Sequence, residues 1–113
     1  MTKTLNMKLS IDWDKKIMEK KIITLDLTDC KYLGEIHERI RIAFDFPEWY
    51  GANWDAFWDL LRSECDADKL EIIGVNSLSK KFDEQIKMMI IMLDKFKDNC
   101  TKYNDYFDYE ILN

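Results

Sequence analysis

Pro47-Glu48-Trp49-Tyr50-Gly51-Ala52-Asn53-Trp54-Asp55-Ala56-Phe57-Trp58-Asp59 reads as a loop that runs into the start of a helix. Pro47 disfavours the α conformation in the residue before it, so any helix leading into this run should stop by Phe46. Gly51 can take a backbone conformation that a residue with a Cβ resists, which suits a turn. Asn53 is a good N-cap, and it sets a second helix over about 54 to 64.

The flanking sequence arranges itself around this break. On the N-terminal side, Leu33, Ile36, Ile40, Ala43 and Phe44 recur at three- and four-residue spacing, with Glu35, Glu38, Arg39 and Arg41 mostly opposite them, as in an amphipathic helix. Before that helix, Ile22 to Leu27 is a β-branched run closed by the turn formers Thr28 and Asp29, and it reads as a buried strand. Earlier still, Met7, Leu9, Ile11 and Trp13 alternate with polar residues and predict an edge strand or extension. On the C-terminal side, Leu70 to Val75 suits a strand, and Asn76 and Ser77 could cap a short helical piece. Ile86, Met89, Ile90, Met92, Leu93 and Phe96 describe a long helix from Asp83 to near Asn99, with Lys95 and Lys97 placed favourably near its C-terminus. Phe107, Tyr109 and Ile111 alternate with Asp108 and Glu110 as a last strand. Strands separated by helices favour parallel pairing through crossovers, hence a small α/β layer fold. With 113 residues, 47% of them hydrophobic, and no low-complexity linker, one domain is expected.

Charge is distributed unevenly. Between residues 45 and 68 seven acidic side chains (Asp45, Glu48, Asp55, Asp59, Glu64, Asp66, Asp68) face one Arg62, a local −6, so the rest of the chain carries +1 of the total of −5. The same stretch holds Trp49, Trp54 and Trp58, three of the four tryptophans. Carboxylates interleaved with aromatics are the composition of a protein-binding surface, and its partner should be basic. An acidic chain without a basic stripe is a poor binder of nucleic-acid phosphates. No apolar run approaches the roughly 18 residues of a membrane helix and no export signal is visible, so a soluble cytoplasmic protein is expected. Cys30, Cys65 and Cys100 are odd in number, far apart and without a C-x-x-C, which predicts buried free thiols.

On a helix Asp55 and Asp59 are i and i+4 and share a face, while Trp54, Phe57 and Leu61 share another that should be core. Trp58 falls between the two. Like charges at this spacing are mildly destabilising, which fits an external cation, but surface carboxylates are common enough that a merely solvated face fits too, and spacing alone leaves both readings open. Trp49, Tyr50 and Trp58 fit either partly buried packing or recognition, and both readings stay open here. The sole histidine, His37, is assigned a surface or packing role, because no metal-ligand spacing surrounds it. A carboxylate pair can in principle do acid–base or Mg²⁺ chemistry, but aspartates stacked on an exposed helix lack the split environments that separate their pKa values. A hydrolase built on Asp55 and Asp59 is therefore the weakest reading, and neither a cofactor nor a metal is expected.

The run resembles the barstar family, small intracellular inhibitors of secreted ribonucleases of the barnase type. Members carry Pro-Glu-Tyr-Tyr-Gly-x-Asn-x-Asp-Ala-Leu-Trp-Asp. Here Pro47, Glu48, Tyr50, Gly51, Asn53, Asp55, Ala56, Trp58 and Asp59 match outright, Trp49 replaces a tyrosine, and Phe57 replaces a leucine. The correspondence runs back through His37 to about Ile22 and more loosely forward to the C-terminus. What the resemblance implies is a three-layer-like α/β domain over 21–113 with a small parallel three-stranded sheet packed with helices. Residues 1–20 would be an extension outside the pattern, an added edge strand or a dimer contact. The second helix and its preceding loop would plug a ribonuclease active site one to one, through Trp49, Tyr50, Gly51, Asn53, Asp55, Trp58 and Asp59. On that analogy Asp59 enters deepest and accepts hydrogen bonds from the nuclease's arginines and catalytic histidine, and Asp55 pairs with a neighbouring cation. Trp49 stacks on the same histidine and Trp58 buttresses the edge. One departure is plain: where family members add a glutamate on the last long helix, this chain offers Asp94 or Lys95. The alternative expectation is an immunity or antitoxin-type acidic module directed at a toxin that is not a ribonuclease.

Overall fold

The computed structural model of the chain describes residues 21–113. In order they form strand β1 (Ile22–Asp26), helix α1 (Leu33–Phe44), helix α2 (Trp54–Glu64), strand β2 (Lys69–Ile73), two 3-10 turns (Val75–Ser77 and Lys80–Phe82), helix α3 (Asp83–Lys102) and strand β3 (Asp108–Ile111). The strands form one sheet in the order β1-β2-β3, parallel throughout. Ile23 lies opposite Leu70 and Leu70 opposite Tyr109, while Leu25 lies opposite Ile72 and Ile72 opposite Ile111. This is the α/β fold with a small parallel three-stranded sheet that the periodicity and the resemblance led to. The alternating run at Met7 to Trp13 lies outside the described residues.

The layering differs from the expectation. A strand covered on both faces is buried at every position, whereas the central β2 alternates: Leu70 and Ile72 are buried, and Lys69, Glu71 and Ile73 are half-buried. Among the described residues the helices therefore pack on one face, giving two layers in place of three. The opposite face is polar, with Lys69 Nζ 2.9 Å from Glu110 on the neighbouring β3 and 3.7 Å from Glu71 two residues along its own strand. Leu25, Leu27, Ile36, Ile40, Phe57, Leu61, Leu70, Ile72, Met89 and Leu93 are fully buried between sheet and helices.

The element ends add three local details, of which only the end of α3 departs from the sequence reading. Helix α1 ends before Pro47 can act: Asp45 takes the left-handed conformation at φ 56°, its N–H bonds to Ile42 O, and the Phe46 N–H reaches back to Arg41 O at 2.9 Å. Helix α3 continues past Asn99 to Lys102, so Lys95 and Lys97 sit well before its last turn and serve other contacts. Lys97 bonds to Asp108 at 2.9 Å, tying α3 to β3. At the end of β2, Gly74 adopts φ 84°, and a Cβ there would lie 2.4 Å from the backbone nitrogen of Thr28. Only glycine lets the chain leave β2 this close to the end of β1.

Candidate functional site

The loop between α1 and α2 is shaped by aromatic packing. Phe46 stacks on Phe44 with ring centroids 5.1 Å apart and contacts Tyr50 at 5.5 Å. The Tyr50 N–H closes a turn onto Pro47 O at 3.0 Å. Tyr50 is buried, and its hydroxyl lies 2.6 Å from His37 Nδ1 on α1. The His37 ring also contacts Trp54 at 4.5 Å, and Trp54 Nε1 donates to Gln85 Oε1 on α3 at 2.7 Å. The loop and the first turn of α2 are thus fastened from behind to two other helices. Burial pushes the His37 pKa down and the Tyr50 pKa up, so at neutral pH both groups are uncharged in this contact. His37 Nε2 is buried without a hydrogen-bond partner.

Asn53 caps α2 as expected: its Oδ1 accepts from the Ala56 N–H at 2.7 Å, while its Nδ2 donates to Gly51 O at 3.2 Å. Gly51 has another role than the one expected. The left-handed residue of the loop is Ala52, at φ 52°. At Gly51 space is tight, since a Cβ there would meet Asn53 Nδ2 at 3.3 Å and the Ala56 Cβ at 3.4 Å and would press on the capping side chain.

The outward side of this scaffold carries the candidate contacts. Trp49 is 75% exposed, Asp55 and Asp59 are exposed, and Trp58 is half-buried. Of the three aromatics left open between packing and recognition, Tyr50 is core, Trp49 is surface and Trp58 lies between. Asp59 already has a cation of its own, with Arg62 Nη2 donating to its Oδ1 at 2.8 Å. The guanidinium of Arg62 also sits 5.2 Å from the Trp58 ring centroid, and Lys95 Nζ from α3 sits 5.1 Å from the same ring. Asp94 is turned elsewhere, accepting from the Tyr109 hydroxyl at 2.6 Å. Burial, with Asp94 second, raises the Tyr109 pKa to about 12. Of the two α3 residues in question, it is Lys95 that reaches the candidate face. Lys21 pairs with Asp66, whereas Asp45, Glu48, Asp55 and Glu64 make no ion pair among the described residues. No three His, Cys, Asp or Glu side chains converge as metal ligands among the described residues.

Residues 20–111 match the family model described as "Barstar (barnase inhibitor)". The chain belongs to the barstar family. A stretch of 47 residues is 38% identical to a Bacillus subtilis (strain 168) protein named "Putative ribonuclease inhibitor YrdF" and covers 42% of this chain. That match takes in 50% of the relative, so the chain spans about half the length of the curated relative it matches. The resemblance drawn from the Pro47 to Asp59 run is therefore shown at the level of the family, whose model is described as one of inhibitors rather than enzymes.

Within this barstar-family domain, sequence reasoning passed over Arg62 and Gln85, while it gave His37 a surface or packing role and left Lys95 as one of two candidates on the last helix. Arg62 was legible, standing three residues after Asp59 and four after Trp58 on one helix. His37, Gln85 and Lys95 come from other helices, and nothing in their local pattern points to the loop.

Proposed function

We propose that this chain inhibits a basic ribonuclease of the secreted type, one to one and without chemistry, by seating α2 and the Pro47 to Asn53 loop in its active site. The observation that carries the reading is a three-quarters-exposed Trp49 beside exposed Asp55 and Asp59, on a loop and helix start pinned from behind by His37 and Gln85. An aromatic anchor and carboxylates held in place lose little freedom on binding. Carboxylates can occupy positions in a nuclease that otherwise take RNA phosphates, and a surplus of them speeds encounter with a basic enzyme. In this reading residues 21–113 are the inhibitor domain, and Trp49, Asp55, Trp58 and Asp59 make the contacts. Tyr50, Gly51 and Asn53 set the loop's shape behind them. The setting is the cytoplasm, in keeping with free thiols at Cys30, Cys65 and Cys100. Burial raises the pKa of all three, that of Cys65 to about 11, which keeps them as unreactive thiols.

The test is inhibition of RNA cleavage by barnase-type ribonucleases, with Asp59→Ala beside the wild type at low and high salt. Inhibition by the wild type, weakened on the order of a hundredfold by Asp59→Ala and lessened by salt, is the expected result. Full RNA cleavage in the presence of excess wild-type chain, for every such enzyme tried, would sink the reading. A partner recovered with no ribonuclease activity would point instead to an immunity module against another toxin.

A further inference from the structure

Lys95 is unused by that reading, yet it lies on the proposed face. It is exposed on α3, its Nζ sits 5.1 Å from the Trp58 ring centroid, and it forms no ion pair among the described residues. On its own helix Asp94 is taken by the Tyr109 hydroxyl, and Asp98, three residues on, makes no ion pair with Lys95. Arg62, the other cation at Trp58, brings its own counter-charge in Asp59. A partner that covers Trp58 must cover both cations. Enclosing Arg62 leaves a paired charge, but enclosing Lys95 leaves an ammonium without water and without an anion, a strongly unfavourable arrangement.

We infer that the partner ribonuclease presents a carboxylate to Lys95, so that this face recognises charge of both signs: cations at Asp55 and Asp59, an anion at Lys95. Lys95 is then a specificity-determining residue. It favours a nuclease with an acidic side chain at the rim of its active site and disfavours one with a lysine or arginine there. The inference rests on the proposed inhibitor function and deepens it.

The probe is the barnase-type ribonuclease that the wild-type chain inhibits in the assay above. Its affinity is measured by calorimetry for wild type, Lys95→Gln, Lys95→Glu and Asp59→Ala, with thermal melts of each variant alone. Lys95→Gln is expected to weaken binding several-fold and Lys95→Glu at least tenfold, with unchanged melting. Changing one acidic rim residue of the ribonuclease to lysine is expected to restore the affinity of Lys95→Glu. If Lys95→Glu binds as tightly as the wild type or tighter while Asp59→Ala loses binding, this inference is overturned and the inhibitor function stands. If the wild type binds no such ribonuclease, both fall together.

Discussion

Two adjacent aromatics, Trp49 and Tyr50, divide exposure from support, and under the proposed function the division is measurable. Trp49 projects into solvent, so Trp49→Ala should leave the unfolding free energy within about 0.5 kcal/mol while weakening ribonuclease binding at least tenfold. Tyr50→Phe should do the reverse. Removing the hydroxyl leaves His37 Nδ1 as unpartnered as its Nε2 already is, which costs on the order of 1–2 kcal/mol in urea denaturation. His37 also makes stability depend on pH. Burial lowers its folded pKa below the ordinary 6.5, so between those two values the unfolded chain binds a proton that the native state refuses. Its contribution is complete above about pH 6.5 and is lost as pH falls toward and through the depressed value. As the single histidine of the chain, it should account for the fall in urea midpoint between neutral pH and the onset of carboxylate titration. His37→Gln should flatten the profile there; an unchanged slope would assign it to other groups. The Pro47 to Asp59 motif singled out Trp49 and Asp59 as candidate contacts, and the structure leaves both exposed. It did not separate Tyr50 from Trp49, because burial of a loop aromatic depends on what the neighbouring helix offers, here His37.

Periodicity located α1, α3 and β3, whose buried faces leave a regular apolar spacing, whereas β1 and β2 were read from short apolar runs and α2 from its Asn53 cap. The ends were less legible, because they depend on single backbone conformations. Ala52 takes a left-handed φ that its residue type does not advertise, while Gly51, the obvious candidate, has no left-handed φ and sits where a Cβ would crowd the Asn53 side chain. Gly74 is the position where a glycine's freedom is used, and it joins the two strands most closely paired to the core. Gly74→Ala combines positive φ with a 2.4 Å approach to the Thr28 backbone, and should destabilise by roughly 2 kcal/mol or more in urea denaturation. Gly34→Ala is the control, because a Cβ there meets nothing within 4 Å on the first turn of α1. It should hold or slightly raise stability.

The domain is asymmetric in charge as well as in layering. Its sheet presents an outer face where Lys69 sits between Glu71 and Glu110, a net −1, whereas the stretch from 45 to 68 carries −6. With Lys69 offsetting one of those two carboxylates, the larger part of the field felt by an approaching protein comes from the α2 side. Encounter with a basic ribonuclease should therefore be fast at low ionic strength and should slow as salt screens that field. Within the acidic stretch Arg62 is the lone opposing charge, and it lies on the approach route beside Asp59. Arg62→Gln takes the stretch from −6 to −7, so stopped-flow association should quicken and its salt dependence steepen. Asp55→Asn takes it to −5 and should do the opposite. Dissociation need not follow the same order, because Arg62 also orients Asp59 and rests on Trp58. If both variants associate at the wild-type rate at low salt, the local charge does not steer the encounter. The carboxylates would then act only after contact, through the geometry of α2.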